Sequence, residues 1–490
     1  MPLNRRELLS RSALAGAGVM LIGSVEALLT APGAVADTAV TGGAAGYGPL
    51  VPDPKGVLAL PEGFSYRILT RTGVTTLESG QTTPSNHDGT GAFSAGGDDD
   101  DDDAVTLLVN NHEIDDPLTD ADHPVPHLDG LVYDPAAAGG CTVVEVSDDS
   151  VREWVGIAGT STNCAGGVTP WGTWLTCEET EDKAGMGGMT KDHGYVFEVD
   201  PKHGSTANLD PKPIKCLGRY AHEAVVVDSY RGHLYLTEDA SKPNGLLYRW
   251  TPPVGFTHGP GELRALADNA GVLDAMKCFD SAGQYVDDLS RATKVGTVYR
   301  VDWVKVPDRD AVTTSVRKQF LAGEITRSRK LEGMWWGDGG AYFVSSYART
   351  ESPGTPHDGQ VWFYDPRSGT ITLKVLLAVN TDPTRDGAYD GPDNITVSPF
   401  GGLVIAEDGE GVSHLFGATA DGQTYPIARN ELAITSAATA AGGTAEAPEY
   451  SEFAGVTFSA DGRTLFANIQ DPGILLAITG PWSGDDGDDD

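Results

Sequence analysis

Acidic residues and one cysteine occupy matching places in a hairpin pattern that the sequence repeats. Each copy has a short apolar strand, a glycine turn, a second apolar strand and a polar or acidic end. The copies are Asn163–Glu179, Ala221–Asp239, Glu332–Tyr347, Asp393–Asp408 and Phe453–Gln470, with a partial copy at Val105–Glu113. In an antiparallel hairpin, the start of the first strand lies beside the end of the second. The polar ends of each copy are therefore expected to meet.

If the copies share one axis, their polar ends form a ring that is suited to binding cations. Its predicted members are Glu113, Cys164, Glu178, Glu179, Glu223, Glu238, Asp239, Glu332, Asp393, Glu407 and Asp408. Carboxylates this close repel one another unless cations lie between them. Carboxylate-rich sites suit hard cations such as Ca²⁺ or Fe³⁺, and a thiolate favours iron or zinc.

Two simpler interpretations of these residues stay open at this point. Any one acidic strand end can be a solvated surface feature. Cys164 can be a buried thiol, or it can form a cross-strand disulfide with Cys177. The chain has five cysteines, so at least one thiol is left without a partner in the chain.

Repeats built from strands are typical of a propeller or a solenoid. The second strands are expected to end near residues 111, 178, 238, 345, 407 and 469. We therefore predict an all-β fold, a six-bladed β-propeller with loop insertions, in which equivalent ends of all blades surround a central channel. The longest gap, from 238 to 345, holds the Pro/Gly-rich segment Pro252–Glu262 and predicts an insertion.

The composition excludes several functional classes. The 490 residues include 70 Asp and Glu against 34 Lys and Arg, for a formal net charge of −36. Such a chain lacks the basic surplus that a nucleic-acid binder needs, and it would not associate stably with an anionic membrane. The sequence has no HExxH, no phosphate-binding loop, no GxSxG and no dinucleotide fingerprint.

The N-terminus has the features of an export signal. Arg5 and Arg6 precede a short apolar stretch, Ala13–Ile22, and the small residues Ala34–Ala36 fit a cleavage site. We predict a twin-arginine signal peptide over residues 1–36, read by the twin-arginine translocase, and a periplasmic or extracellular mature chain. A membrane anchor is the alternative, although the stretch is short and Glu26 follows it.

Residues 37–490 are predicted to form a single propeller domain with an acidic C-terminal tail, and we expect a monomer. Two runs of aspartate, Asp98–Asp103 and Asp485–Asp490, are interpreted as a solvated loop and that tail, with loose Ca²⁺ capture as the alternative.

The motifs at the hairpins resemble those of the PhoX family of exported alkaline phosphatases. The resemblance covers most of the chain after residue 36. The matching stretches are NHE (111–113), NCAGGVTPWGTWLTCEE (163–179), GRYAHE (218–223), LEG (331–333), DGPDNITVSPFGGLVIAEDG (390–409) and EFAGVTFSADGRTLFANIQDPG (452–473).

This resemblance implies a six-bladed propeller that holds two ferric ions and calcium ions and hydrolyses phosphomonoesters without a phosphoserine intermediate. By motif position, it implies that Cys164, Glu179, Glu223 and Glu332 are iron ligands. It also implies calcium or bridging roles for Glu113, Glu238, Asp239, Asp393, Glu407 and Asp408. Lys330 occupies the place of an arginine that binds phosphate in the family, and Lys330 or Arg329 is predicted to stabilise charge on the transferring group.

The function predicted from the sequence is a secreted, metal-dependent phosphomonoesterase that uses Fe³⁺ and Ca²⁺ on a small-molecule phosphate ester. The alternatives are a Ca²⁺-dependent lactonase, a phosphodiesterase or a phytase-like hydrolase on the same fold, and a non-catalytic extracellular metal-binding propeller. A redox role for iron at Cys164 is disfavoured, because no haem-attachment motif accompanies this cysteine.

Overall fold

Antiparallel strands account for nearly all the regular structure of this protein. The computed structural model describes residues 46–95, 105–115, 123–350, 352–382, 384–434 and 449–482. The predicted signal peptide and both aspartate runs lie outside these residues. The described part of the chain contains 29 strands and four short 3-10 helices, and no α-helix.

The strands follow one another along the chain with short connections. They are β1 (Leu50–Val51), β2 (Leu58–Pro61), β3 (Ser65–Arg71), β4 (His87–Ser94), β5 (Thr106–His112), β6 (Gly139–Val146), β7 (Val151–Thr160), β8 (Asn163–Val168), β9 (Trp174–Glu178), β10 (Val196–Val199), β11 (His222–Val227), β12 (Leu234–Glu238), β13 (Leu247–Thr251), β14 (Val272–Phe279), β15 (Tyr285–Val286), β16 (Val298–Lys305), β17 (Leu331–Gly337), β18 (Gly340–Ser345), β19 (His357–Asp365), β20 (Thr370–Ala378), β21 (Pro392–Val397), β22 (Leu403–Glu407), β23 (His414–Ala418), β24 (Thr424–Asn430), β25 (Ala433–Ile434), β26 (Glu449–Tyr450), β27 (Phe453–Phe458), β28 (Thr464–Ile469) and β29 (Ile474–Thr479). The 3-10 helices are Thr206–Asn208, Lys215–Leu217, Leu289–Arg291 and Val316–Lys318.

These strands form several separate sheets. One four-stranded sheet contains β4 to β7, and a second is built from β27, β28, β29 and β3. A three-stranded sheet contains β8 to β10, and a six-stranded sheet runs from β21 through β24 to β2 and β1. The ten-stranded sheet begins at β11, ends at β17 and is continuous through β14, β16 and β20. β25 and β26 form a small separate ribbon.

The predicted hairpins are all present. Their second strands, β5, β9, β12, β18, β22 and β28, end at or next to the predicted positions. The predicted insertion coincides with a long loop between β13 and β14, followed by the additional strands β15 and β16. This part of the chain widens the ten-stranded sheet, because β16 pairs with both β14 and β20.

The first strands of the hairpins meet side by side in a closed succession. β4 contacts β8, which contacts β11, and the series continues through β17, β21 and β27 back to β4. A cavity of about 20 Å³ between them is lined by residues that include Gly89, Ala165, Gly333, Asn394 and Gly455. The fold is therefore all-β and propeller-like.

Close contact between these first strands requires small residues. A Cβ added at Gly89 would lie 2.6 Å from the Ala165 Cα atom, and one added at Gly333 would lie 2.8 Å from the Asn394 Cα atom. Outside this ring, the sheets pack through large buried side chains such as Trp174, Trp250 and Trp362. Residues 45–481 make up one compact unit, and this unit holds every predicted site residue.

Candidate metal centre

A β-bulge in five of the first strands places one reactive side chain each. The register shifts fall between His87 and Thr90 in β4, and at the corresponding places in β8, β11, β17 and β21. The first bulged residue of each strand is a potential metal ligand: Asp88, Cys164, Glu223, Glu332 and Asp393. A bulge re-aims a side chain relative to the regular alternation of a strand. The shared geometry explains why these five residues point to one place.

The residue directly after the second strand supplies the partner in each hairpin. These residues are Glu113, Glu179, Asp239, Asp408 and Gln470. They follow β5, β9, β12, β22 and β28, whose last paired residues lie beside the starts of the first strands. Hairpin geometry thus brings a bulge residue and a post-strand residue together.

Three groups of side chains have potential ligand atoms that all lie within 4.8 Å of one another. They are Cys164 with Glu179 and Glu223, Asp88 with Glu113 and Glu452, and Glu223 with Glu332 and Asp393. Glu223 belongs to two groups. Asp408 joins the set through the Glu452 carboxyl group, with which it shares a hydrogen bond. We call these nine residues the acidic cluster.

Burial and mutual repulsion raise the pKa values of the carboxyl groups in this cluster. Burial raises the pKa of Glu113 to about 7. Burial and the Asp408 carboxylate raise the pKa of Asp393 to about 8. Burial, followed by nearby carboxylates, raises the pKa well above its usual range for Asp88, Glu179, Glu223, Glu332 and Glu452. Without a counter-charge these groups favour their neutral forms, and a bound cation reverses that preference.

The cluster is also poor in hydrogen-bond donors. Gln470 donates to Glu113 Oε2 at 2.7 Å and to Asp88 Oδ2 at 3.2 Å. The other carboxyl oxygen of Asp88, Oδ1, is buried without a hydrogen-bond partner. An unpartnered buried oxygen is costly. Its presence among neighbouring carboxyl groups fits a site for cations.

Three of the predicted ligands, Glu178, Glu238 and Glu407, are not brought into this cluster. Glu178 accepts hydrogen bonds from the backbone N–H groups of Ser161, Gly194 and Tyr195 and lies 2.7 Å from His193 Nδ1. Its carboxylate is therefore occupied within its own sheet. Successive side chains of a strand point to opposite sides, so the residue before each cluster member faces away from the cluster.

Glu238 and Glu407 repeat this arrangement. Glu238 accepts from the Tyr248 hydroxyl group at 2.7 Å and from Arg317 Nη1 at 3.1 Å. Glu407 accepts from the backbone N–H groups of Asp390 and His414, at 2.6 and 2.7 Å. We therefore leave Glu178, Glu238 and Glu407 out of the ligand set proposed below.

The two predicted catalytic cations have different placements. Lys330 Nζ lies 3.2 Å from Asp239 Oδ2 and 3.1 Å from Glu332 Oε1, so its ammonium group contacts the cluster. Arg329 is held through its backbone, where its N–H group donates to Ser290 Oγ and its carbonyl group accepts from Ser345 Oγ. A catalytic role for the Arg329 side chain stays a prediction.

All five cysteines are free, buried thiols, so Cys164 and Cys177 are not joined in this structure. The Cys164 thiol group donates to the backbone carbonyl groups of His222 and Glu223, at 3.2 and 3.6 Å. Burial and the Glu223 carboxylate raise the pKa of Cys164 well above its usual range. A bound metal ion would favour the thiolate form in the same position.

Sequence reasoning missed two members of the cluster, Asp88 and Glu452. Asp88 lies in HDGTGAFS (87–94), where polar residues and glycine hide the apolar run of a strand. Glu452 stands one residue before β27, in a hairpin whose bulge residue is Gly455 or Val456 and offers no ligand. Its place directly before the motif FAGVTF is the signal that could have identified it.

Comparison with known proteins identifies a family. The sequence model described as alkaline phosphatase PhoX matches residues 45–155 and 147–473, which is most of the chain. No curated protein matches the chain.

Similar folds occur among solved structures. Pseudomonas fluorescens PhoX, in complex with the transition-state analogue vanadate, is 17% identical, with a TM-score of 0.60 over 86% of this chain and 96% of that chain. The gluconolactonase XC5397 from Xanthomonas campestris is 11% identical, with a TM-score of 0.37 over 89% of this chain and 99% of that chain. The PQQ domain of Coprinopsis cinerea pyranose dehydrogenase is 11% identical, with a TM-score of 0.39 over 87% of this chain and 98% of that chain. The 17% likeness supports a shared fold.

Proposed function

The chain belongs to the PhoX family of alkaline phosphatases and is a phosphoric monoester hydrolase, and we propose that its reaction takes place at the acidic cluster. One observation carries this assignment. Bulges in five separate strands place Asp88, Cys164, Glu223, Glu332 and Asp393 so that their ligand atoms fall into overlapping groups within 4.8 Å.

The donor set fits bound cations, and its chemistry favours a division between them. Cys164 is the one soft ligand of the cluster, so we propose Fe³⁺ at Cys164, Glu179 and Glu223. The group of Asp88, Glu113 and Glu452 offers only oxygen atoms, which is the preference of Ca²⁺. Glu332, Asp393 and Asp408 lie between or beside these groups and are proposed as shared ligands.

When bound, these cations supply positive charge that polarises a phosphoryl oxygen and lowers the pKa of water. The side chains of the cluster determine where that charge lies, because their positions are fixed by strand bulges and hairpin ends. Lys330 retains its proton, since Glu332 and Asp239 raise its pKa above the usual range. Its ammonium group is a fixed positive charge at the edge of the site, where a transferring phosphoryl group carries negative charge.

We also propose that the propeller has six blades. Six hairpins support this number, and each begins with a strand of the inner succession: β4, β8, β11, β17, β21 and β27. The ten-stranded sheet has two of these strands, β11 and β17, at its two ends. It can therefore be divided into two blades that are joined edge to edge through the β16–β20 pairing.

Export by the twin-arginine route to the periplasm or beyond, and a monomeric state, are further parts of the proposal. The support for export is the Arg5-Arg6 pair with its short apolar stretch. In the described part of the chain, no helix reaches the length and hydrophobicity needed to cross a bilayer.

The test is a comparison of substrates on the purified full chain. We expect hydrolysis of p-nitrophenyl phosphate that is lost after EDTA treatment and returns with iron and calcium. Glu223→Gln should lower kcat by at least about 100-fold, because it removes a ligand shared by two groups. The control, Glu145→Gln, replaces a carboxylate that pairs with Arg152 at the surface and should retain native turnover. Hydrolysis of a diester or a lactone without hydrolysis of the monoester would contradict the assignment.

A further inference from the structure

We propose that Lys330 is a built-in cation of the metal centre, whose ammonium group takes the place of one metal ion at the Asp239 side of the cluster. The inference rests on the proposed metal centre and concerns how many ions that centre binds. It assigns Asp239, a predicted metal ligand, as the partner of an ammonium group.

The geometry is that of a cation shared by two acids. Lys330 Nζ lies 3.2 Å from Asp239 Oδ2 and 3.1 Å from Glu332 Oε1. The Asp239 and Glu332 side chains are 9% and 7% exposed. Two nearly buried carboxyl groups would repel each other without a positive charge between them. The ammonium group supplies that charge.

The backbone of Lys330 indicates that the fold imposes this position. Lys330 has a φ of 39°, in the left-handed region that residues other than glycine rarely adopt. Its carbonyl group accepts a hydrogen bond from the Ser346 N–H group at 3.0 Å. The preceding residue is fixed by Ser290 and Ser345. A strained conformation persists only where its surroundings hold it.

The other parts of the cluster have no such cation. No lysine or arginine in the described part of the chain forms an ion pair with the groups Cys164–Glu179–Glu223 and Asp88–Glu113–Glu452. Those carboxyl groups depend on bound cations for their charge balance. Asp239 already has a permanent counter-charge, and Glu332 is the residue at which the two modes meet.

The inference has a measurable consequence for metal stoichiometry. If the ammonium group replaces an ion, removing it should open a site for one. We therefore expect Lys330→Met, equilibrated with Ca²⁺ and freed of unbound ions, to contain about one more Ca²⁺ per chain than the native protein. Lys330→Arg retains a cation and should keep the native metal content.

A second variant keeps the test decisive if Lys330→Met folds poorly. Asp239→Asn removes the carboxylate but leaves Lys330 paired with Glu332, so its metal content should equal that of the native protein. The matched control is Lys212→Met, which removes a lysine that pairs with Asp210 at the surface and should bind no additional Ca²⁺.

Two results would overturn the proposal. One is an unchanged Ca²⁺ content in folded Lys330→Met. The other is loss of a metal ion in Asp239→Asn, which would make Asp239 a metal ligand. The turnover of p-nitrophenyl phosphate by the native chain is measured in the same preparations. A native chain without turnover would count against the proposed function, whereas the metal ratios alone decide the role of Lys330.

Discussion

Glu178 and Glu179 are neighbours at the end of β9, and their carboxylates serve opposite sides of the strand. Glu178 is enclosed by backbone N–H groups of its own sheet and by His193. Glu179 faces the cluster, where its ligand atoms lie within 4.8 Å of those of Cys164 and Glu223. Two identical side chains, one residue apart, thus have different roles because a strand alternates its faces.

This pair yields the first prediction. Glu178→Gln should lower the free energy of unfolding by about 1–3 kcal/mol, because an amide N–H₂ group would face buried N–H donors. Its metal content should stay native. Glu179→Gln should instead weaken metal binding by about 10-fold or more. Chemical denaturation of the metal-free proteins and elemental analysis measure the two effects separately. Metal loss in Glu178→Gln with unchanged stability would show that the two roles are reversed.

The second prediction concerns the thiol group. Cys164→Ser should lose iron and retain part of the calcium, since a hydroxyl group is a poor substitute for a thiolate as an iron ligand. The control is Cys278→Ser, which replaces another buried thiol outside the cluster. Elemental analysis of both variants provides the comparison. Native iron content in Cys164→Ser would remove this residue from the ligand set.

A third prediction tests the close contact between the first strands. Gly333→Ala would place a Cβ 2.8 Å from the Asn394 Cα and the Asp393 carbonyl oxygen. We expect it to destabilise the fold by about 1–3 kcal/mol, as overpacking does in a dense interior. Gly354→Ala is the control, because its added Cβ would meet nothing within 4 Å. Equal stability of the two variants, measured by denaturant unfolding, would contradict the packing described for the ring.

The fourth prediction concerns pH and a carboxyl group on β7. Burial raises the pKa of Glu153 from 4.5 to about 7, and its Oε1 atom has no hydrogen-bond partner. A raised carboxyl pKa means that the folded state holds the proton more tightly, so its contribution to stability falls as pH rises from about 4.5 to 7. The loss is roughly 3 kcal/mol at 1.36 kcal/mol per pKa unit.

Glu153→Gln lacks this titration. Relative to the native chain, the variant should therefore gain stability between pH 5 and pH 8, as measured by denaturant unfolding at each pH. Effects of other titrating groups cancel in that difference, because both proteins share them. Parallel pH profiles for the two proteins would contradict the assigned pKa of Glu153.

Much of this arrangement could be predicted from the sequence. Apolar strands around glycine turns locate the second strands, and hairpin geometry then places Glu113, Glu179, Asp239 and Asp408 at one end of the sheets. These inferences need only local patterns and the antiparallel register. The all-β, propeller-like fold follows from the repetition of the same unit.

The remaining features depend on geometry that the pattern does not carry. Bulges, which aim Asp88 and Glu223, insert a residue without a distinctive sequence signal. The alternation that separates Glu178 from Glu179 was applied to His112 and His222 but not to adjacent acids, so both glutamates were predicted as ligands. The pairing of Lys330 with Asp239 joins residues 91 positions apart, and only tertiary structure brings them together.

The central claim is that the acidic cluster is the metal centre at which phosphate monoesters are hydrolysed. Asp88→Asn tests it most directly, because Asp88 has a buried oxygen with no hydrogen-bond partner. Calcium and iron content, p-nitrophenyl phosphate turnover and melting temperature should be measured on the same preparations of native chain and variant. We predict a folded variant that loses calcium and turnover together. A folded Asp88→Asn with native metal content and native turnover would contradict the claim.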